Sequence, residues 1–283
     1  MAPFIIPALR PEPVLRNPAT IPAGQGRTML VVVAHADDAA FFLGGTIALW
    51  ADAGWHIHCL RVTDDRWDSV GLDEAETIIR NATEFRDAAA VLGIAACEDL
   101  GWQTDVLGDV SRVALRERII HAIRRLKPYG LVTFDPNSLF AEDNLDHKIL
   151  AEAVDEAAWT AMFDKHHPEH FAEGLAPHGV VERWYFGRTI ASVTHVIDTT
   201  SVRERQLQAI LCHATPLANI ARQFALQAGT AGVASDLIAR ADAGDVRPLV
   251  ETLFLAAAAA RGAPFGLDAA DWLRCHRAAV DLP

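Results

Sequence analysis

The sequence predicts an α/β protein with a Rossmann-like three-layer fold, a mostly parallel sheet and a C-terminal helical extension. Short apolar runs rich in β-branched residues alternate with longer amphipathic segments, as in βαβ units. The chain has 283 residues, of which 51% are hydrophobic, so it can bury one large core. From about residue 216 onward the alternation gives way to alanine-rich sequence, which favours packed helices over strands.

The individual elements follow along the chain. Apolar runs predict strands over 29–34, 57–62, 131–134, 181–186 and 193–197. Apolar positions at helical spacing predict helices over 42–53, 72–92, 110–126, 147–162 and 201–211, with Gly93 as the C-cap of the second. Residues 1–27, rich in Pro and Arg, predict an irregular arm. The expected organisation is therefore this arm, an α/β domain over 28–215, and a helical extension over 216–283 packed on it.

Composition excludes several classes of protein. The net charge of −12 opposes binding to a phosphate backbone, so we expect no nucleic-acid partner. No apolar run approaches the length of a membrane span, and the N-terminus lacks the pattern of a signal peptide. Four scattered cysteines without a C-x-x-C pair are typical of a reducing compartment, which indicates the cytoplasm. A homo-oligomer formed through the helical tail stays an open expectation.

Two polar clusters follow predicted strands. His35, Asp37 and Asp38 come directly after the first strand, and a loop with Asn144, Asp146 and His147 opens the helix after the third. Ligands of open α/β sheets bind at the carboxyl ends of strands, and two imidazoles with carboxylates are the ligand set of a catalytic zinc. The spacing alone leaves two alternatives: the acids and Asn144 are helix caps, or Gly44-Gly45 is part of a nucleotide-binding turn.

These motifs resemble the PIG-L/LmbE-like zinc-dependent deacetylases. The strand followed by H-A-D-D and Gly44-Gly45, with the later D-H loop, is similar to the family pattern over roughly residues 28–215. Glu84 and Leu92-Gly93 resemble its E-x-x-x-A-x-x-x-L-G helix, and the stretch from Asp198 to His213 resembles its late motif. The resemblance implies a Rossmann-like fold, one Zn²⁺ per chain, and hydrolysis of an N-acyl group, usually acetyl on a glucosamine unit.

The same resemblance implies roles for individual residues. His35, Asp38 and His147 would bind zinc, which activates water and polarises the amide carbonyl. Asp37 would be the general base. Asp146 would orient an imidazole or a loop amide.

Two positions depart from the family pattern and concern the proton donor. Asn144 stands where many members have a histidine, and an amide has no proton to give to the leaving amine. Either Asp37, once protonated, or His213 then fills this role, and Asn144 and His213 are both counted as catalytic candidates. Thr215 and Pro216 replace the usual Ser-Gln after His213, which weakens its correspondence, so we favour Asp37 as the proton shuttle.

Substrate-binding candidates lie near the presumed mouth of the site. Trp67 and Trp102 follow strand ends and can stack on sugar faces, although packing explains an aromatic residue equally well. Asp64, Arg80 and Asp105 can contact hydroxyls, and for Arg80 an ion pair on the helix surface is the plain alternative.

The sequence thus predicts a hydrolase that removes an N-acetyl group from a small acetamido-sugar substrate. Two alternatives remain. One is an amidase that cleaves a larger N-acyl or thiol conjugate from an amino sugar with the same residues. The other is a non-catalytic Rossmann-like protein that binds a nucleotide.

Overall fold

A single eight-stranded sheet forms the centre of the computed structural model, which describes residues 12–138 and 142–280. The strand order is β1-β7-β8-β6-β5-β2-β3-β4, and only β8 runs antiparallel to its neighbours. The strands are β1 Val14–Arg16, β2 Thr28–Val33, β3 His56–Thr63, β4 Ala96–Trp102, β5 Gly130–Phe134, β6 Glu182–Phe186, β7 His195–Asp198 and β8 Ala270–Arg277.

Helices cover both faces of this sheet. They are α1 Asp38–Asp52, α2 Glu74–Leu92, α3 Arg112–Leu126, α4 Leu145–Thr160, α5 Glu169–Ala172, α6 Arg203–Cys212, α7 Ala214–Ala231, α8 Asp236–Asp242, α9 Arg247–Val250 and α10 Ala256–Gly262. Successive residues of β2 point to opposite faces, so Val31 lies in the core under α1, α2 and α6, and Leu30 in the core under α3 and α4. This arrangement confirms the predicted three-layer α/β fold.

The sheet order creates a switch point beside β2. The chain proceeds from β2 to β3 on one side, whereas β5 pairs with the other side of β2. The connections after β2 and β5 therefore leave a crevice between them at the carboxyl edge of the sheet. Both polar clusters identified in the sequence are in these two connections.

The predicted ends of the second helix agree with the structure, because residues with capping preferences lie at both ends. Asp73 accepts a hydrogen bond from Glu76 N at 2.8 Å as the N-cap of α2, and Gly93 ends the helix with φ 82°. The other predicted helices and strands are also present, with ends shifted by a few residues. Strand β4 was not predicted, because its sequence contains Glu98 and Asp99 and does not form an apolar run.

The two chain ends correct the predicted organisation. The arm contains strand β1, paired in parallel with β7, and the C-terminal extension contains β8, inserted between β6 and β7. The extension is therefore not purely helical, since its last element completes the sheet. The buried carboxylate of Asp271 on β8 accepts bonds from the Thr46 hydroxyl and amide, which fastens the strand to α1. The domain boundaries themselves stay predictions.

Gly44 and Gly45 lie inside α1 and not in a turn. A Cβ on Gly45 would lie 2.6 Å from Thr199 Cγ2, and one on Gly44 would lie 3.0 Å from Gln206 Cγ. The two glycines therefore let α1 pack closely against the start of α6. This removes the main support for the nucleotide-binding alternative. Within the ranges described, no helix is both long and apolar enough to cross a membrane.

Candidate metal centre

Three side chains from the two loops converge at the switch point. His35, Asp38 and His147 each offer one ligand atom, and these atoms lie within 4.8 Å of one another. His147 Nε2 is 3.0 Å from His35 Nδ1 and 3.1 Å from Asp38 Oδ1. All three residues are buried. The structure thus brings together the three residues that the sequence predicted as metal ligands.

Backbone amides and aromatic rings hold these three side chains in position. The second oxygen of Asp38 accepts hydrogen bonds from Ala34 N at 3.0 Å and His35 N at 2.8 Å, which leaves Oδ1 facing the cluster. The His147 ring stacks on Phe134 with centroids 4.0 Å apart and meets Phe42 edge-on. A side chain held in this way loses little entropy when it binds an ion.

The other nitrogen of each imidazole faces a carboxylate. His35 Nε2 lies 3.5 Å from Asp146 Oδ2, and His147 Nδ1 lies 3.3 Å from Glu142 Oε1. Carboxylates behind histidine ligands fix the ring tautomer and raise ligand basicity. Asp146 also accepts the amide of Asp105 at 2.7 Å, so it contacts both an imidazole and a loop amide.

The electrostatics of the cluster favour positive charge at its centre. Burial lowers the pKa of His35, but its interactions with Asp146 and Asp38 outweigh burial and raise that pKa well above the ordinary value. The pKa of His147 is also raised, mainly by Asp38 acting against burial. Burial would raise the pKa of Asp38, yet the two histidines hold it far below its usual range. A divalent cation between these side chains would be stabilised by the same carboxylates, so the donor set fits a metal ion.

Asp37 lies beside these ligands but is not tied to them. It occupies the N-cap position of α1 without a capping hydrogen bond, and its carboxylate accepts no hydrogen bond from the part of the chain that the structure describes. Burial, followed by repulsion from Asp38, raises its pKa well above the ordinary value. It is therefore a carboxylate that can accept and release a proton.

Asn144 caps the helix that carries His147. Its Oδ1 accepts the amides of Asp146 at 2.9 Å and His147 at 3.3 Å, so the capping function considered for this residue is present. It contributes to the site by fixing the first turn of α4.

His213 is fully buried between α6 and α7. Its ring meets Phe41 edge-on at 5.8 Å, and neither ring nitrogen has a hydrogen-bond partner in the described ranges. Burial lowers the pKa of His213 to about 3. In this conformation the ring is neutral near pH 7 and has no proton to spare for a leaving group.

The two acids that follow β3 lie in different environments, and a contribution of Asp64 to substrate binding stays a prediction. Asp64, predicted to bind substrate, is engaged by Arg66 through a bond of 2.6 Å. Its neighbour Asp65 fixes the position of the loop that contains His35. The Asp65 Oδ2 accepts hydrogen bonds from Ala36 N at 2.9 Å and from Arg61 Nη1 at 2.9 Å. Adjacent residues at a strand end point in different directions, and the sequence does not reveal which one turns inward.

The other substrate candidates occupy different environments. Arg80 pairs with Glu76 one turn earlier on the exposed face of α2, so the structure gives the helix-surface ion pair and no contact with the metal cluster. Trp102 packs partly buried against the core under α3 and α4. Trp67 is 46% exposed and donates to Glu74 at 3.1 Å. Asp105 is exposed and contacts Asp146 only through its backbone. The contribution of Trp67 and Asp105 to substrate binding stays a prediction.

Sequence reasoning missed four residues around the centre. Glu142 stands behind His147, and Arg188, after β6, binds Glu142 Oε1 at 3.3 Å at the mouth. Asp68 is close enough to Asp37 to raise its pKa, and the amide of Asn219 on α7 donates to Asp68 at 2.7 Å. Glu142 lies just before a predicted ligand loop, which was a usable signal. No local signal connects Asn219 with a loop 151 residues earlier.

The fold and this cluster together define an α/β protein with a candidate His-Asp-His metal site at the switch point of its sheet. Residues 30–158 match the family described as PIG-L, GlcNAc-PI de-N-acetylase. The matched residues contain all three candidate ligands, so this part of the chain is similar to the PIG-L family.

Individual proteins that resemble this chain have low sequence identity to it. The 1D-myo-inositol 2-acetamido-2-deoxy-alpha-D-glucopyranoside deacetylase of Rhodococcus jostii RHA1 is 25% identical over 242 residues, covering 67% of this chain and 81% of that protein. The 4-oxalmesaconate hydratase of Pseudomonas putida KT2440 is 27% identical over 195 residues, covering 66% and 73%. Among solved structures, N,N'-diacetylchitobiose deacetylase from Pyrococcus horikoshii superimposes with a TM-score of 0.74 at 18% identity, over 90% of this chain and 86% of that one.

Proposed function

We propose that this protein is a zinc-dependent hydrolase that removes the N-acetyl group from a small acetamido-sugar substrate. One observation carries the proposal: two imidazoles and one carboxylate converge within 4.8 Å, with Asp37 adjacent and unbonded. The family match and the R. jostii relative support the reaction class and an acetamido sugar as substrate.

His35, Asp38 and His147 would hold the metal in this proposal. Zinc suits two imidazoles with one carboxylate, and three protein ligands leave a coordination position open. When bound, the ion supplies Lewis acidity to the scissile carbonyl and acidifies water.

Asp37 would move the proton during hydrolysis. Its carboxylate removes a proton from the attacking water as the new carbon–oxygen bond forms, then returns that proton to the amide nitrogen as the carbon–nitrogen bond breaks. The products are acetate and the free amine. His213 is a weak candidate for the donor because it is neutral and unpartnered, and Asn144 is occupied as a helix cap.

The remaining parts of the proposal concern substrate contacts and compartment. Trp67 and Asp105 are the exposed candidates for contacts with the sugar, and Arg188 and Asp68 are added from the structure. A cytoplasmic location and one metal ion per chain are proposed on the cysteine pattern and the single His-Asp-His cluster found in the described ranges. Neither the oligomeric state nor a role for the tail in self-association is part of the proposal.

The test measures metal content and acetate release together. The purified wild-type protein, His147→Ala, Asp37→Asn and the control His121→Ala are assayed on a panel of N-acetylglucosamine compounds. We expect about one zinc per chain and acetate release in the wild type and in His121→Ala, whose side chain pairs with Glu173 on the surface. His147→Ala should lose both, and Asp37→Asn should keep zinc but lose at least about 100-fold in rate. Zinc binding without acetate release by the wild type would refute the deacetylase proposal.

A second candidate function is hydration of a carbon–carbon double bond. The P. putida relative is named a hydratase and covers as much of this chain as the deacetylase does. Activating water beside a metal ion is common to both reactions. Consumption of an unsaturated dicarboxylate by wild type but not by Asp37→Asn, with no acetate released from any sugar, would favour this function.

A further inference from the structure

A cavity lies at the edge of the sheet opposite to the candidate metal centre. It has a volume of about 370 Å³, and Met29 at the start of β2 lies on its floor. Helix α1 begins at Asp38 in the metal centre, and Trp50 near its other end lines the cavity. Twelve residues of α-helix span about 18 Å, so the two sites are separated by nearly the length of this helix.

Three tryptophans form the apolar wall. Trp50, Trp55 and Trp184 are each less than 10% exposed, and the rings of Trp50 and Trp184 meet edge-on at 5.6 Å. The indole nitrogens of two of them are already used, since Trp55 donates to Pro22 O at 2.9 Å and Trp184 to Glu182 at 3.1 Å. These two indoles therefore offer mainly carbon to a ligand, which suits a flat apolar ring.

The charges that line the cavity do not cancel. Arg277 and Glu182 form an ion pair at 2.6 Å, which neutralises both. Arg16 has no carboxylate within ion-pair distance in the described ranges, and its hydrogen bond to Thr20 O is long at 3.5 Å. Burial, with Arg16 nearby, lowers the pKa of His195 to about 4, so this ring adds a neutral polar group and no charge. Among the residues that the structure describes, the cavity thus carries one guanidinium without a carboxylate partner, beside an aromatic wall.

We propose that this cavity binds a small organic monoanion with an aromatic ring, its anionic group at Arg16 and its ring against Trp50 and Trp184. A guanidinium in a partly desolvated place binds a carboxylate or sulfonate through short, charge-assisted bonds. The lining has no amide side chain, and its one carboxylate, that of Glu182, is engaged. A neutral sugar, which needs several free acceptors and donors, is therefore a poor match. The site is remote from the metal and does not depend on the proposed reaction.

The experiment compares two ligands of the same shape. Binding of 2-naphthoate and of the neutral 2-naphthamide to the full chain is followed by calorimetry and by quenching of tryptophan fluorescence. The variants are Arg16→Gln and Arg112→Gln, the latter an exposed arginine on α3. His147→Ala separates this cavity from the metal centre, where a carboxylate can also bind.

The expected result is saturable binding of naphthoate at least about tenfold tighter than that of naphthamide. Arg16→Gln should remove this difference, and Arg112→Gln and His147→Ala should keep it. Three results would overturn the proposal: no binding to the full chain, equal binding of the two ligands by the wild type, or loss of naphthoate binding in His147→Ala. The last would place the carboxylate at the metal centre. Circular dichroism of Arg16→Gln shows whether that variant is folded.

Discussion

The buried imidazole of His213 leads to a prediction that joins stability to catalysis. Replacement by Phe keeps an aromatic ring next to Phe41 and removes two ring nitrogens without hydrogen-bond partners in the described ranges. An unsatisfied buried polar group costs about 1–3 kcal/mol, and a slightly larger ring returns part of that gain as strain. At pH 7.5 we therefore expect His213→Phe to be more stable than the wild type by about 1 kcal/mol.

The stability difference between His213→Phe and the wild type should also depend on pH. Burial lowers the pKa of His213 to about 3 in the folded protein, whereas an unfolded histidine titrates near 6.5. Below pH 6.5 the unfolded chain binds a proton that the folded chain does not, so the wild type loses stability as the pH falls from 6.5 toward 3. At pH 5 this linkage amounts to about 2 kcal/mol. The advantage of His213→Phe should accordingly grow from about 1 to about 3 kcal/mol.

Urea unfolding of EDTA-treated wild type and His213→Phe at pH 7.5 and pH 5 measures both numbers. Other groups titrate in both proteins, so their contributions cancel in the difference. An equal stability difference at the two pH values would refute the conclusion that His213 is buried and neutral. Acetate release provides an independent readout, because a loss of about 100-fold or more in His213→Phe would make this residue the proton donor.

Three further predictions follow from contacts in the structure. Glu142→Gln should weaken zinc binding about 10–100-fold, because the ring of His147 loses the carboxylate that faces its Nδ1. Competition with a chromophoric chelator measures this affinity. Gly45→Ala should lower the free energy of unfolding by about 1–3 kcal/mol through its clash with Thr199, whereas Gly229→Ala, a helical position with open space, should raise it by about 0.5–1 kcal/mol. Asn219→Ala should raise KM about fivefold, because it releases the carboxylate of Asp68.

Each of these predictions has a matched control. Asp143→Asn changes an exposed acid beside Glu142 and should keep the zinc affinity of the wild type; equal affinity in Glu142→Gln would contradict the role given to its carboxylate. Destabilisation by both glycine substitutions would mean that close packing at Gly45 is not the cause. Gln223→Ala, one turn after Asn219 on α7, should leave KM unchanged, and an unchanged KM in Asn219→Ala would argue against a binding role for Asp68.

The two loops of the candidate metal site were predictable because each connects a strand, whose own sequence defines it, to the helix that follows. The apolar run of β2 predicts a strand buried on both faces, and parallel neighbours end at one edge of the sheet. That local rule selects the loop with His35 and Asp38 and the loop that leads to His147, whereas the choice of these three residues as ligands came from the resemblance to the PIG-L/LmbE-like deacetylases. The structure confirms that these loops meet, because β2 and β5 are neighbours in the sheet.

Strand β8 shows where local rules stop. Its partners lie about 70–95 residues earlier in the chain, as in the pairs of Glu182 with Arg277 and Asp198 with Ala270. Its sequence contains the charged residues Asp271, Arg274 and Arg277 and follows alanine-rich helices, so composition favoured a helical tail. Pairing between distant segments is decided by the shape and hydrogen-bonding groups of the edge available after the rest has folded.

The sequence by itself determined the fold class, the order of the main strands and helices, and the two polar loops that meet at the carboxyl edge of the sheet. Those features follow from periodicity and from the position of polar residues next to strand ends, which are properties of short segments. The choice of His35, Asp38 and His147 within those loops came from the resemblance to the PIG-L/LmbE-like deacetylases. The tertiary structure alone decided that Asp65 holds the loop of His35, that the buried ring of His213 has no hydrogen-bond partner in the described ranges, and that Asn219 contacts Asp68. Each of these depends on the direction of one side chain and on the environment that distant segments build around it, and neither is encoded locally.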